Sequence, residues 1–414
     1  MTIFKTKIGL AVFFTVAIII CFIEAKDKDD FFIFLSATGD LIRGANFYEN
    51  TYVDGYHYFY SVLFALLLKP FYSLPFFAVK FCWLLLNVII YAHLFYLLSK
   101  NKLVKLLNEK QQLLFIGLVF IFSLRFFLDN MHSAQITFVI IWCSVYGLYL
   151  ITQQNALLGA AILAFGINIK LLPIVFLPYL IYRGYFKAFG YTVLFYFFYL
   201  AIPAFFIGYN YNLTLLKTWL TLINPTNQNH VLDVEERSFH GLSTLLSTLL
   251  IKNVPDIYAL NLKRNIADVS QQTLATVLLI TRLAFVSFSL YFLSWKPFIK
   301  AKSIWKQFVE VAYILLLIPL IFPHQQHYAF LFSVPAFAVV MLYVIENYSA
   351  IPKTNKLVVC SLLFLIYILT NLKLLLGTYN NYYEHYKILT YGALLLIPLL
   401  IWVKLQAKNQ TKWE

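Results

Sequence analysis

Charge is what this sequence has least of. Only 12% of its 414 residues are Asp, Glu, Lys or Arg, against roughly 25% in a soluble domain. So few charges cannot cover a water-facing surface, and 61% of the residues are hydrophobic, so soluble, disordered and collagen-like chains are excluded. Cysteine is sparse as well. Cys21, Cys82, Cys143 and Cys360 lie in or beside apolar runs with no CxxC or metal-ligand spacing, which supports neither a disulfide framework nor a zinc site. Acidic residues number 18 against 32 basic ones, a net charge of +14. Because no long basic run occurs, that excess reads as anchoring at the cytoplasmic face, with no nucleic acid as partner.

What the chain has in abundance is long, unbroken apolar runs. A β-barrel would alternate apolar and polar residues, so the runs predict helices. They lie near 8–23, 57–73, 76–98, 112–128, 134–152, 156–182, 188–208, 272–294, 307–322, 328–345, 357–373 and 388–403. At about 20 residues per crossing, this predicts an all-α polytopic membrane protein of about twelve transmembrane helices, a single integral membrane domain over 1–414. The first run follows Lys5 and Lys7 and ends at Glu24-Ala25-Lys26 rather than at a small-residue cleavage site, so it reads as an uncleaved anchor. With the N-terminus inside, Arg183, Lys187, Lys296, Lys300, Lys353, Lys356 and Lys404 fall on the cytoplasmic face; Lys100, Lys102, Lys105 and Lys110 fall outside. Two long segments, 24–56 and 209–271, then lie on the outer face. The second holds short apolar stretches, 215–223 and 242–251, suited to interfacial helices.

Candidate chemistry gathers at that outer boundary. Asp29 and Asp30 follow the first run directly and precede Phe31 to Phe34. A carboxylate there is partly desolvated, a setting that suits a general base acting on a hydroxyl. Asp40 and Gly44 follow, the glycine placed to cap a helix and turn the chain back. Between two later runs stands Pro323-His324-Gln325-Gln326-His327-Tyr328. If a helix starts there, His324 and His327 share a face and, with Gln325 and the helix amides, offer donors to a phosphate. Two histidines without a third ligand argue against a metal. Lys170 and Arg282 lie within apolar runs, and Arg125, Asp129, His132 and Gln135 flank two others; ionisable groups so placed are expensive and are candidates for function.

The order of these features resembles glycosyltransferase family 87. Asp30, Phe34, Ala37, Gly44 and Tyr48 resemble its first-loop motif, and Leu68 to Pro75 its Pro…Leu-Pro hairpin. Ala134-Gln135-Ile136 stands where the family has Gly-Gln; Gly166 to Pro173 with Tyr182-Arg183 resembles its Lys-x-x-Pro…Arg helix. Ser238-Phe239-His240-Gly241-Leu242 resembles the end of its Asn-Gln-Ser-Leu-x-Gly stretch, and His324 to His327 its late His-containing loop. The chain departs at Phe59-Tyr60-Ser61, at Glu236-Arg237 and at Ala134, which bears on the donor sugar rather than the fold.

The resemblance implies a GT-C fold and an inverting transfer at the outer (periplasmic) face of the inner or plasma membrane. The donor would be a polyprenyl-phosphate sugar, mannose-like or arabinofuranose-like, and the acceptor a glycolipid or glycan hydroxyl. Asp30, with Asp29 as the alternative, would be the base; His324, His327, Gln325, Lys170, Gln135 and His240 would bind donor phosphate or substrate. No cofactor or metal is implied, and membrane lipids are the surroundings. A transporter or flippase of lipid-linked sugars is the competing class, and a surface-polysaccharide polymerase or ligase would share the donor. A transporter would carry its charges near the bilayer midplane, whereas these cluster at one boundary.

Overall fold

In hydrocarbon each backbone N–H must find its partner within its own segment, so apolar runs of this length fold as helices. The computed structural model describes residues 2–224, 239–254, 259–294, 296–301, 303–323 and 325–407, with side chains from residue 9 onward except that of residue 54. Among these, every regular element is a helix, and pairing is confined to two isolated bridges, Thr51 with His57 and Phe239 with Gln326. Eight described helices are long and apolar enough to cross a membrane: Phe76–Lys100, Glu109–His132, Phe186–Ile207, Gln271–Phe292, Ile304–Ile321, His327–Asn347, Lys353–Asn371 and Ile388–Ala407. Shorter apolar helices of 10–17 residues include Gly9–Glu24, Thr137–Thr152 and Ala156–Ile169.

The chain divides into two compact units. The first comprises Met1–Tyr96, Leu128–Leu180 and Tyr185–Asn224; the second comprises Leu97–Phe127, Ile181–Gly184 and Pro225–Glu414.

In the first unit, α1 (Thr2–Glu24) leads through a short turn to α2 (Asp30–Arg43). Gly44 ends α2 at φ 75°, with its N–H returning to Asp40 and Leu41; that left-handed conformation is one glycine adopts without penalty. The run expected over 57–73 becomes helical only at α3 (Val62–Leu68), because Ser61 is extended and its hydroxyl caps the helix by accepting from the Phe64 N–H. After α4 (Phe76–Lys100) and α5 (Glu109–His132), the latter belonging to the second unit up to Phe127, α6 (Thr137–Thr152) packs on α7 (Ala156–Ile169). Gly147 and Gly159 face each other there, where a Cβ on either would lie under 3.0 Å from the other's carbonyl oxygen. Small residues let helix backbones approach this closely.

The run 156–182, expected as one span, is broken into three pieces: α7, a 3₁₀ turn over Leu172–Val175, and α8 (Phe176–Tyr182). Pro173 lacks the N–H that continuation requires, and Lys170 at the break has extended backbone. Beyond lie α9 (Phe186–Ala201), α10 (Ala204–Ile207) and α11 (Tyr209–Leu222).

The second unit contains α12 (Leu242–Leu250), α13 (Gln271–Phe292), α14 (Ile304–Ile321), α15 (Val334–Asn347), α16 (Lys353–Asn371), α17 (Lys373–Leu376), α18 (Asn380–His385) and α19 (Ile388–Ala407). Helices α11 and α12 cover the stretches read as interfacial. The core of this unit is α14 with α15, whose side chains are mostly buried. Arg183 is fully buried here and bonds to both Glu310 carboxylate oxygens and to the Leu293 carbonyl, which fastens the Ile181–Gly184 piece to α14.

Candidate active site

Three carboxylates begin or line α2, and their partners separate them. Asp29 is the N-cap: its side chain accepts the Phe31 N–H at 3.0 Å and is ion-paired with the fully buried Lys80. Burial pushes its carboxyl above the ordinary value, against the pull of Lys80 and of the Phe31 amide. Asp40 is buried and accepts from Arg43, from Asn50 Nδ2 at 2.9 Å and from the Tyr52 hydroxyl at 2.7 Å. Burial raises its pKa, but those three donors outweigh it and hold the carboxyl below its usual value. Both are therefore committed to holding the first loop together.

Asp30 is different. It is the first residue of α2, half-buried, and its Oδ2 accepts from the Gln135 side-chain amide. Gln135 is fully buried and accepts in turn from the Tyr60 hydroxyl at 3.3 Å. The Lys170 ammonium lies 5.4 Å from the centre of the Tyr60 ring, within range of a cation–π contact. The Ser61 N–H bonds the Ile169 carbonyl at 3.3 Å, which brings the start of α3 to the break after α7 and so seats Tyr60 beside Lys170. A carboxylate, an amide, a phenol and an ammonium thus follow one another within the first unit. Next along α2, Phe31 stacks on Trp83 and Phe34 meets Tyr60 edge-on.

The second unit holds a separate centre. Glu384 is fully buried, with His240 Nε2 at 2.6 Å, Lys373 Nζ at 3.4 Å and Arg125 at 4.0 Å. Burial opposes its ionisation, but His240, Lys373 and His327 outweigh burial and hold the carboxyl well below the ordinary range. His240 is pushed down by its own burial and by Lys387 and Arg125, against the pull of Glu384. The His327 ring lies edge-on to His240, centroids 6.4 Å apart. Gln325, 2% exposed, accepts the His240 N–H through its carbonyl at 2.8 Å, and no hydrogen bond reaches its side-chain oxygen. Arg125 donates to the Thr370 carbonyl and to the Tyr383 hydroxyl at 2.6 Å.

Of the residues the sequence singles out, Asp30, Gln135 and Lys170 come together in one unit, and His240, Gln325 and His327 in the other. His324, Glu236 and Arg237 lie outside the described residues. The shared helical face expected for His324 and His327 requires a helix through 325 and 326, whereas Gln326 is extended and the 3₁₀ turn begins at His327. Sequence reasoning missed Lys80, Lys373, Glu384 and Lys387. Each is an ionisable group in or beside an apolar run, the one signal that marked them. No group of His, Cys, Asp and Glu among the described residues could hold a metal ion.

The model of glycosyltransferase family 87 matches residues 58–366. That interval includes Lys80, Gln135, Lys170, His240 and His327; Asp30 precedes it and Glu384 follows it. No curated protein and no solved structure matches the chain.

Proposed function

The chain belongs to glycosyltransferase family 87 and is a membrane glycosyltransferase, and from that premise we propose that it moves a sugar from a polyprenyl-phosphate donor to an acceptor hydroxyl with Asp30 as base. On this reading the chain has a GT-C arrangement of about twelve crossings, with the reaction at the outer face of the inner or plasma membrane. The acceptor O–H gives its proton to the Asp30 carboxylate while its oxygen bonds to the donor's anomeric carbon. The bond from that carbon to the phosphate oxygen breaks, its electron pair leaves with polyprenyl phosphate, and the configuration inverts.

The observation that carries this reading is the run of contacts that starts at Asp30: its carboxylate accepts from the Gln135 amide, Gln135 accepts from the Tyr60 hydroxyl, and the Lys170 ammonium lies over the Tyr60 ring. Gln135 orients the base, and Lys170 supplies positive charge for the departing phosphate, a role for which fixed cations are effective. His240, His327 and Gln325, gathered with Arg125, Lys373 and Lys387 around Glu384, form the second anion-binding candidate. The donor sugar is mannose-like in the first instance.

The test is to incubate purified protein and an acceptor with a panel of polyprenyl-phosphate sugars and measure polyprenyl phosphate release. One donor is expected to be consumed with transfer to the acceptor. Movement of the intact lipid-linked sugar across a vesicle bilayer with no release would favour the flippase instead.

A further inference from the structure

We propose that one face of α4, carrying Lys80, Trp83 and Asn87, is the template that sets Asp30 and Gln135 against each other; the three are positioning residues, and their effect on rate rests on the glycosyl-transfer reading above. Their spacing of three and four residues puts them on one side of the helix.

Lys80 is fully buried, and its ammonium donates to the Glu24 carbonyl at 2.5 Å, to the Asp27 carbonyl at 2.8 Å and to the Asp29 carboxylate. Those acceptors are the last residue of α1, the turn after it and the N-cap of α2, so all three hydrogens of the ammonium are spent fixing the peptide that precedes Asp30. One turn further along, Trp83 Nε1 donates to the Ala134 carbonyl at 2.8 Å, and after another turn Asn87 Nδ2 donates to the Gln135 carbonyl at 3.1 Å. Ala134 is held at φ 44°, a conformation that residues with a Cβ disfavour. The Trp83 bond is one of the contacts that keep it there.

A single rigid helix therefore grips both peptides that carry the reacting pair. A buried lysine within an apolar helix is costly, and a leucine would pack α4 at less expense. What leucine could not do is bind three separate oxygens at the mouth of α2.

The proposal is tested with Lys80→Met, Lys80→Arg and Asn87→Leu, purified and checked for monodispersity and thermal midpoint. With the polyprenyl-phosphate sugar found active, Lys80→Met and Asn87→Leu are expected to lower kcat at least tenfold with donor KM within twofold, and Lys80→Arg to recover part of the loss. A second arm needs no activity: D30C and Q135C are combined in a C82S/C360S background and bridged with dibromobimane. Bridging is expected to fall at least threefold when K80M or N87L is added. Unchanged kcat with unchanged bridging would overturn the proposal. So would a joint collapse of kcat, KM and thermal midpoint with bridging intact, since that is a merely structural lysine. If the wild type consumes no donor, the bridging arm alone decides the positioning claim, and only the functional reading fails.

Discussion

The two units each build a centre around one acidic side chain, and the surroundings differ in kind. Asp30 is half-buried, at the start of a helix, against a neutral amide. Glu384 is wholly buried, with an imidazole and the cations Lys373 and Arg125 within 4.0 Å. An acid ringed by cations is a weak base, because every neighbour stabilises its charge; its worth lies in holding those cations in place. The comparison teaches that the residue type alone does not give the role.

Substitutions can break the comparison. The largest effect is expected from Asp30→Asn, which should lower sugar transfer by about 10²–10⁴-fold with normal membrane insertion, whereas Asp29→Asn should chiefly lower the thermal midpoint. Equal losses of transfer from both, at equal stability, would erase the distinction between cap and base. Next, Glu384→Gln removes the anion from among Arg125, Lys373 and His240 and should destabilise the protein by about 3–5 kcal/mol, as losing one partner of a buried ion pair does. Thermal unfolding in detergent checks this, and an unchanged midpoint would show that the cations do not depend on it. Lys170→Met should lower kcat by about 10²-fold without loss of stability; a rise in acceptor KM alone would move Lys170 from the leaving phosphate to the acceptor.

The smallest effect is at Asp40. Its folded carboxyl titrates below the ordinary value, so the stability it lends is complete above the unfolded pKa of about 3.9 and is lost as pH falls through the lower, folded value. Proteolysis of the 45–57 segment should therefore rise only at acid pH, and Asp40→Asn should abolish that pH step.

Much of the fold was legible because apolar length alone demands helices, and Gly44 marked a cap that the chain obeys. Asp30 and Gln135 were legible as polar residues at the ends of apolar runs, and Lys170 as one within a run. Lys80 was not, since a lone lysine in such a run reads equally as a side chain reaching for the interface. Its meaning comes from three oxygens at positions 24, 27 and 29, more than fifty residues away along the chain. Glu384 was hidden for the same reason: its partners, Arg125, His240 and Lys373, are joined to it only by folding. The shared histidine face was conditional on a helix through 325 and 326; the backbone at 326 is extended, and His324 lies outside the described residues.

The most direct test of Asp30 as a base, rather than as a nucleophile that would bond to the sugar, is the anomeric configuration of the product. Proton NMR of the transferred sugar, compared with the donor, should show inversion, as a single displacement by a deprotonated hydroxyl requires. Retention would contradict it, since it would mean two displacements and a carboxylate that attacks carbon.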